Sequence, residues 1–353
     1  MLVRMRENDL LEPASLPDRL ASVEALEDWM TRPSAALVED LQGVEGDIAI
    51  LGVAGKMGPT LARLAKRAAP GKRIVGVARF SDPAARVRLD ACGVETIACD
   101  LLDRAAVERL PRLPNIVFAA GQKFGSSGNP SLTWAMNVHV PAIVAETFRA
   151  SRIVAFSTGN VYAMTDAPGP GANESSPLGP VGEYAQSCVG RERMFEHFSQ
   201  RHGTPGRIVR LNYAIDMRYG VLVDLAQKIV AGTPIDLAMG SVNVIWQGDA
   251  NAQVLRCLAR CTTPTTPLNV TGPETHAVRE LASGLARRLG REPLFAGSEA
   301  PKALLNDARE AARLFGPPVV PLERMLDWVA DWVARGGESL GKPTKFEVRD
   351  GAF

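Results

Sequence analysis

The sequence predicts an α/β protein: a doubly wound parallel sheet with a smaller, mainly helical lobe after it. Three observations predict it. Residues 47–58 read as a buried strand that breaks into three evenly spaced glycines and restarts as a helix. Short Val/Ile-rich runs then alternate with helical patterns as far as residue 211. Beyond that point helical pieces joined by Pro/Gly-rich loops take over. Strands covered by helices on both faces carry such continuous apolar runs, and ligands of these sheets sit beyond the carboxyl ends of the strands.

A chain of 353 residues is long enough to bury a full core. Its formal charge of +1 and the lack of any basic run argue against a nucleic-acid partner. No stretch approaches the ~20 apolar residues of a membrane span. The first twenty residues interleave Arg4, Arg6, Glu7, Asp9, Glu12 and Asp18 with leucines, which is not a signal-peptide pattern. Cys92, Cys99, Cys188, Cys257 and Cys261 are odd in number and lack metal-ligand spacing. They read as small buried side chains in a reducing compartment, so the expectation is a cytoplasmic protein without a metal.

Residues 1–46 form an appendage of two short helices, Ser22 capping 23–30 and Ser34 capping 35–41, with Pro33 at the break. Leu26, Trp29 and Leu37 would dock it. Residues 47–211 hold strands at 47–52, 73–79, 94–99, 115–120, 152–157 and 207–211, and helices at 58–69, 103–110, 131–149 and 184–202. Residues 212–353 form the lobe, with helices near 220–231, 249–260, 276–289, 301–315 and 321–335. Trp328 and Trp332, four apart in the last of these, read as core, and His139 reads as structural.

Gly52, Gly55 and Gly58 surround Lys56 and Met57 in the turn after the first strand. Glycine is required where a chain reverses tightly and where backbone approaches a pyrophosphate. The helix behind the turn offers free N–H groups and a partial positive charge. The segment therefore predicts a dinucleotide site of the Rossmann type. Arg79 ends the second strand, where the adenosine ribose would lie. An acid there suits NAD, whereas an arginine suits the 2′-phosphate of NADP. NADP is preferred, with Lys56 as a second cation and Asp82 as a competitor for the ribose. Asp100 and Leu101 would flank the adenine, and Ala119, Ala120 and Gly121 leave room for the cofactor to pass.

Catalytic candidates follow. Strand 152–157 runs into Ser157 and Thr158, and Tyr184 opens a helix 26 residues beyond Thr158. A tyrosine beside a second hydroxyl can move a proton at a carbonyl or alcohol oxygen while hydride moves at a nicotinamide. To act as a base near neutrality the phenol needs a nearby cation.

This ordered set resembles the extended short-chain dehydrogenase/reductases, specifically the NAD-dependent epimerase/dehydratase family, over about residues 47–334. The resemblance rests on the three glycines, Asp100-Leu101, Ala119-Ala120, Asn137, and Ser157-Thr158-Gly159-Asn160-Val161-Tyr162. It continues through Asn173-Glu174, Glu183-Tyr184, Glu192, Arg210, Asn212, Asp249 and the stretch from Asn269 to Glu274. It implies that Thr158 orients the reacting oxygen, that Tyr184 is the general acid/base, and that Asn137 supports them. It further implies that Ser157, Tyr184, the position of Cys188, and Asn212 lie on the cofactor side. Members are often dimers through two long helices, here 131–149 and 184–202.

One position departs from the pattern. The family has a lysine four residues after the tyrosine, where it binds the nicotinamide ribose and lowers the tyrosine pKa. Here Cys188 stands there, a weak donor without charge. Three accounts follow: Lys123 or Arg191 supplies the cation, the reaction demands less of the tyrosine, or the protein binds nucleotide without redox chemistry. Lys123, Thr158, Asn160, Tyr213, Arg218 and Trp246 are the candidates for lining a substrate pocket, with Tyr219 and Gln247 beside them. Arg218 would suit a carboxylate. The expected function is an NAD(P)-dependent oxidoreductase or epimerase acting on a hydroxyl or carbonyl of a small sugar, polyol or sugar acid. The alternative is a non-catalytic NADP-binding redox sensor.

Overall fold

The structure is a computed structural model and describes residues 9–123, 125–126, 128–342 and 344–351. Both predicted caps form at the start of the chain. Ser22 Oγ accepts the Ala25 N–H at 3.2 Å at the head of α1 (Val23–Met30). Ser34 Oγ accepts that of Leu37 at 3.2 Å at the head of α2 (Ala35–Gly43). The two helices bury into different cores. Leu26 and Met30 enter the lobe core, while Leu37 and Leu41 enter the core under the sheet. The appendage thus ties the two halves together.

The central sheet has seven strands: β1 (Ile48–Leu51), β2 (Ile74–Ala78), β3 (Glu95–Ala98), β4 (Asn115–Phe118), β5 (Arg152–Thr158), β6 (Gly206–Leu211) and β7 (Thr266–Val270). Their order is β7-β6-β5-β4-β1-β2-β3, all parallel. The order reverses between β1 and β4, which opens a crevice at their carboxyl ends. Helices α3 (Gly58–Ala68), α4 (Pro83–Ala91), α5 (Arg104–Glu108), α6 (Pro130–Trp134), α7 (Val140–Thr147) and α8 (Gly182–His202) complete this region. The lobe adds α9 (Val221–Ala231), α10 (Gln247–Arg256), α11 (Val278–Leu289), α12 (Arg309–Phe315) and α13 (Leu322–Ala334). Its core packs α9, α11 and α13 around Trp328 and Trp332.

Four elements differ from the sequence expectation. Helix α4 is absent from that expectation, although Asp82 caps it and Pro83 opens it, because it buries only Ala85 and Leu89 and so shows almost no apolar stripe. Strand β7 falls where the sequence suggests a loop. It contains Pro267, which cannot donate to a ladder, and it is tolerated because β7 is an edge strand paired only to β6. It also brings a piece of the C-terminal half back into the sheet. The expected helix 131–149 is α6 and α7 joined by a π-helical turn over Ala135–His139. Of the expected helix 301–315 only α12 forms, since Lys302 and Ala303 pair instead with Thr165 and Asp166.

Candidate active site

Two cavities open at the carboxyl ends of the strands. The first, of about 470 Å³, is lined by the glycine turn, Arg79, Asp82, Asp100, Leu101, Ala119, Ala120 and Gly121. Two of the three glycines have no room for a side chain. Gly52 has φ +93°, and a Cβ on it would lie 2.5 Å from the Ala120 nitrogen. A Cβ on Gly58 would meet the Val53 carbonyl oxygen at 2.1 Å. Gly55 is met only by the Gly52 oxygen, at 3.3 Å, and borders the groove. A cradle that a Cβ would fill, with the start of α3 behind it, fits a pyrophosphate. At the far end Arg79 is exposed. Asp82 is engaged: its Oδ1 accepts the Ala84 N–H at 2.9 Å and its carboxylate faces Arg88 at 3.6 Å. Asp100 Oδ1 accepts the Leu102 N–H at 3.0 Å.

The second cavity, of about 170 Å³, lies beyond β5 and β6. Met57, Lys123, Ser157, Thr158, Asn160, Tyr184, Asn212 and Tyr213 line it. Lys56, expected as a second cation for the cofactor, lines this cavity rather than the first. Its ammonium lies 3.9 Å from the centre of the Tyr219 ring and 3.5 Å from the Ala214 oxygen. Tyr213 sits at φ 40°, a backbone region that side chains rarely adopt and that recurs at ligand sites. Asn212 donates to the Leu304 oxygen at 3.4 Å.

Thr158, Tyr184 and Cys188 form a hydrogen-bonded chain, with Thr158 donating to the phenol and the phenol facing the thiol. Thr158 Oγ1 also accepts the Asn160 N–H at 3.2 Å. Burial raises the Tyr184 pKa well above its ordinary value and Cys188 adds to the rise, while Arg191 and the Thr158 hydrogen bond oppose it. Burial also pushes the Cys188 thiol up, so it stays neutral near pH 7. Lys123 places its ammonium 5.8 Å from the Tyr184 ring centre. Burial lowers it to about 8, which leaves it mostly charged at neutrality.

Asn137 is fully buried in the π-helical turn and braces the loop that carries Lys123. It accepts the Gln122 N–H and donates to the Gln122 oxygen, both at 2.9 Å. It also donates to Ser187 Oγ at 2.9 Å and accepts from Arg191 Nη2 at 2.5 Å. Arg191 is held further by the Phe156 oxygen at 2.9 Å. Gly121 has to be small for this guanidinium, because a Cβ would lie 2.3 Å from Arg191 Nη2.

Several expected site residues are engaged elsewhere. Trp246 and Gln247 are fully buried and line neither cavity; the Trp246 indole packs at 5.3 Å on Trp328, where its apolar area is best used. Arg218 spends its donors on Asp216 and Glu27, each at 2.9 Å, so it offers no clamp to a substrate carboxylate. Ser157 turns its hydroxyl onto Glu192 at 2.6 Å, and Cys188 is sealed among Val161, Tyr162 and Ala172. Conversely, Thr344 and the start of α9 line the second cavity without any signal in the sequence pattern. The C-terminal segment reaches the site through contacts distant in sequence, and nothing in its composition marks it.

No group of three His, Cys, Asp or Glu side chains among the described residues could hold a metal. No described helix is long and apolar enough to cross a membrane.

No curated protein matches the chain. Solved structures do. The UDP-Glc/GlcNAc 4-epimerase of Campylobacter jejuni is 21% identical with a TM-score of 0.68, covering 82% of this chain and 100% of that one. The dTDP-glucose 4,6-dehydratase of Streptomyces venezuelae, with NAD bound, is 20% identical with a TM-score of 0.69, covering 82% and 97%. The UDP-glucuronic acid 4-epimerase of Bacillus cereus, in complex with NAD, is 16% identical with a TM-score of 0.67, covering 82% and 99%. At these identities the likeness is one of fold. The sequence itself matches the NAD dependent epimerase/dehydratase family over residues 48–217, from β1 through the catalytic candidates to the wall of the second cavity. Over this segment, just under half of the chain, it is similar to the NAD dependent epimerase/dehydratase family.

Proposed function

We propose that the chain is an NAD(P)-dependent oxidoreductase or epimerase, preferring NADP, that acts on a hydroxyl or carbonyl of a small sugar, polyol or sugar acid. The observation that carries this reading is the Thr158–Tyr184 pair on the wall of a small cavity beyond the glycine groove. A bound nicotinamide dinucleotide would supply or accept the hydride. Gly52, Gly55 and Gly58 would hold its pyrophosphate, with Asp100 and Leu101 at the adenine. Arg79 favours a 2′-phosphate, because Asp82 is already committed to its helix cap and to Arg88.

The resting phenol of Tyr184 carries its proton, since burial raises its pKa. It is therefore set to donate that proton to a carbonyl oxygen as the oxygen gains charge, while Thr158 orients the same oxygen. In the reverse direction Tyr184 first has to release its own proton to solvent, which the cations Lys123 and Arg191 favour, and the phenolate then takes the proton of the alcohol. The two cations do the work that Cys188 cannot. The small cavity supports a compact substrate, being below the roughly 300–1,000 Å³ of pockets for drug-sized ligands. Exposed Leu132 and Trp134 on α6, beside α8, support a homodimer through these helices.

Titration of the purified protein with NADPH and NADH, followed by tryptophan quenching, tests the cofactor reading. Tighter NADPH binding is expected, and Arg79→Asp should invert the preference; an unaltered preference removes Arg79 from the 2′-phosphate. Cys188 favours a second reading, a redox sensor without turnover. Under that reading the oxidised and reduced forms of NADP bind and no carbohydrate screen yields turnover.

A further inference from the structure

The lysine of the glycine turn leaves the phosphate groove and reaches into the substrate cavity. We propose that this cavity selects a small polyhydroxylated substrate bearing an anionic group, a carboxylate or a phosphate, and that Lys56 holds that group. The proposal rests on the reading of the cavity as the substrate site, and it names the class of substrate.

The cavity has positive charge and no acid in its walls. Lys56 and Lys123 both line it, and no Asp or Glu does so among the described residues. The nearest carboxylates are engaged: Asp216 pairs with Arg218 at 2.9 Å, and Asp224 accepts the Thr344 N–H at 2.8 Å. Gly220 and Val221, at the N-terminus of the eleven-residue α9, form part of the wall. A helix start adds partial positive charge of the same sign. The Tyr219 ring face under the Lys56 ammonium holds it in place without neutralising it.

The two lysines divide the cavity. Lys123 stands beside Tyr184, where the proton moves. Lys56 comes from the glycine turn on the other side, next to Tyr219 and Ala214. An anion at Lys56 therefore leaves the rest of a short carbon chain facing Thr158 and Tyr184. Desolvation pulls the Lys56 pKa down to about 7; Asp216 and Asp224 oppose the fall, while the charges of Lys123 and Arg218 add to it. A bound anion relieves both downward effects, which gives the site a reason to prefer charged over neutral ligands.

Calorimetric titration with matched ligands tests this. D-Gluconate and sorbitol differ only in a carboxylate against a hydroxymethyl group, and sorbitol 6-phosphate places a phosphate on the same chain. At least one anion should bind about tenfold more tightly than sorbitol. Preference for gluconate identifies a carboxylate, and preference for sorbitol 6-phosphate identifies a phosphate ester. Lys56→Met and Lys56→Gln should each bring the discrimination down to about twofold, whereas Lys56→Arg should keep part of it. The proposal is overturned if the three ligands bind equally, if none binds, or if discrimination survives in either neutral variant that retains the wild-type melting temperature. Each titration is run with and without NADPH. Failure to bind either NADPH or NADH then refutes the dinucleotide reading by itself, while the comparison of anion with neutral ligand still decides this one.

Discussion

Cys188 lies one helical turn beyond Tyr184, fully buried among Val161, Tyr162 and Ala172. A lysine at this position would bring an ammonium into an apolar pocket already flanked by Arg191 and Lys123. Cys188→Lys is therefore expected to destabilise the protein by roughly 3 kcal/mol or more, the scale of an uncompensated buried charge, and to lower turnover. Urea unfolding and a turnover assay check it, and a gain in turnover without loss of stability would show the position open to a cation. Tyr184→Phe should remove turnover and leave NADPH affinity within about twofold, since the ring stays and only the proton carrier is lost. Turnover close to wild type in that variant would place the acid elsewhere. At this scale the sequence is informative about residue types and weak about direction. The Thr158–Tyr184 pair is legible because both lie at element ends of predictable position. The turning of Lys56 into the other cavity is not, because it depends on Tyr219, 163 residues away.

Among the elements, α8 does the most to position the site. It carries Tyr184, Cys188 and Arg191 on the faces toward β5 and the π-helical turn, and it is pinned by a buried ion pair. Glu192 receives Arg210 at 2.6 Å and Ser157 at 2.6 Å. Arg210 reaches on to Tyr162 Oη at 2.6 Å, and Tyr162 donates to Asn269 at 2.9 Å. Several residues that carried the family resemblance thus form one lattice joining α8 to β5, β6 and β7. Glu192→Leu leaves the buried Arg210 charge without its carboxylate and should cost about 3–5 kcal/mol. Glu192→Leu with Arg210→Met should recover part of that loss, because it removes the stranded charge. A double variant less stable than Glu192→Leu alone would refute this account. Element by element, the strands before residue 211 and both N-terminal caps can be read directly, as their signals are local. The π-helical turn cannot, because an extra residue in one helical turn leaves the apolar periodicity on either side nearly unchanged.

For the whole molecule, a buried carboxylate ties α10, whose Ala250 and Val254 enter the core under the sheet, to the stretch before α13 in the lobe. Asp249, on α10, accepts the N–H groups of Val319 and Val320 at 3.1 and 2.9 Å, just before α13. Burial raises its pKa to about 6, partly offset by those two hydrogen bonds. A carboxyl whose folded pKa is raised binds its proton more tightly when folded. Its contribution to stability is therefore full below the ordinary pKa and is lost as pH rises through about 6. Asp249→Asn cannot ionise, so its stability relative to wild type should improve between about pH 4 and pH 7, by up to roughly 3 kcal/mol. Melting curves of both proteins across that range check it, and a constant difference would mean that the carboxyl titrates normally.

The sequence by itself determined the parallel sheet, the glycine cradle, the capped appendage and the order of the catalytic candidates, because each depends on periodicity or on residue types a few positions apart. Only the tertiary structure decided which candidates meet. It returned β7 to the sheet despite Pro267, sent Trp246 to the core, consumed Arg218 in internal ion pairs, and brought Lys56, Lys123 and Thr344 to one cavity. The physical reason is that burial and charge pairing are settled by neighbours far apart in the chain, and a local pattern does not contain them.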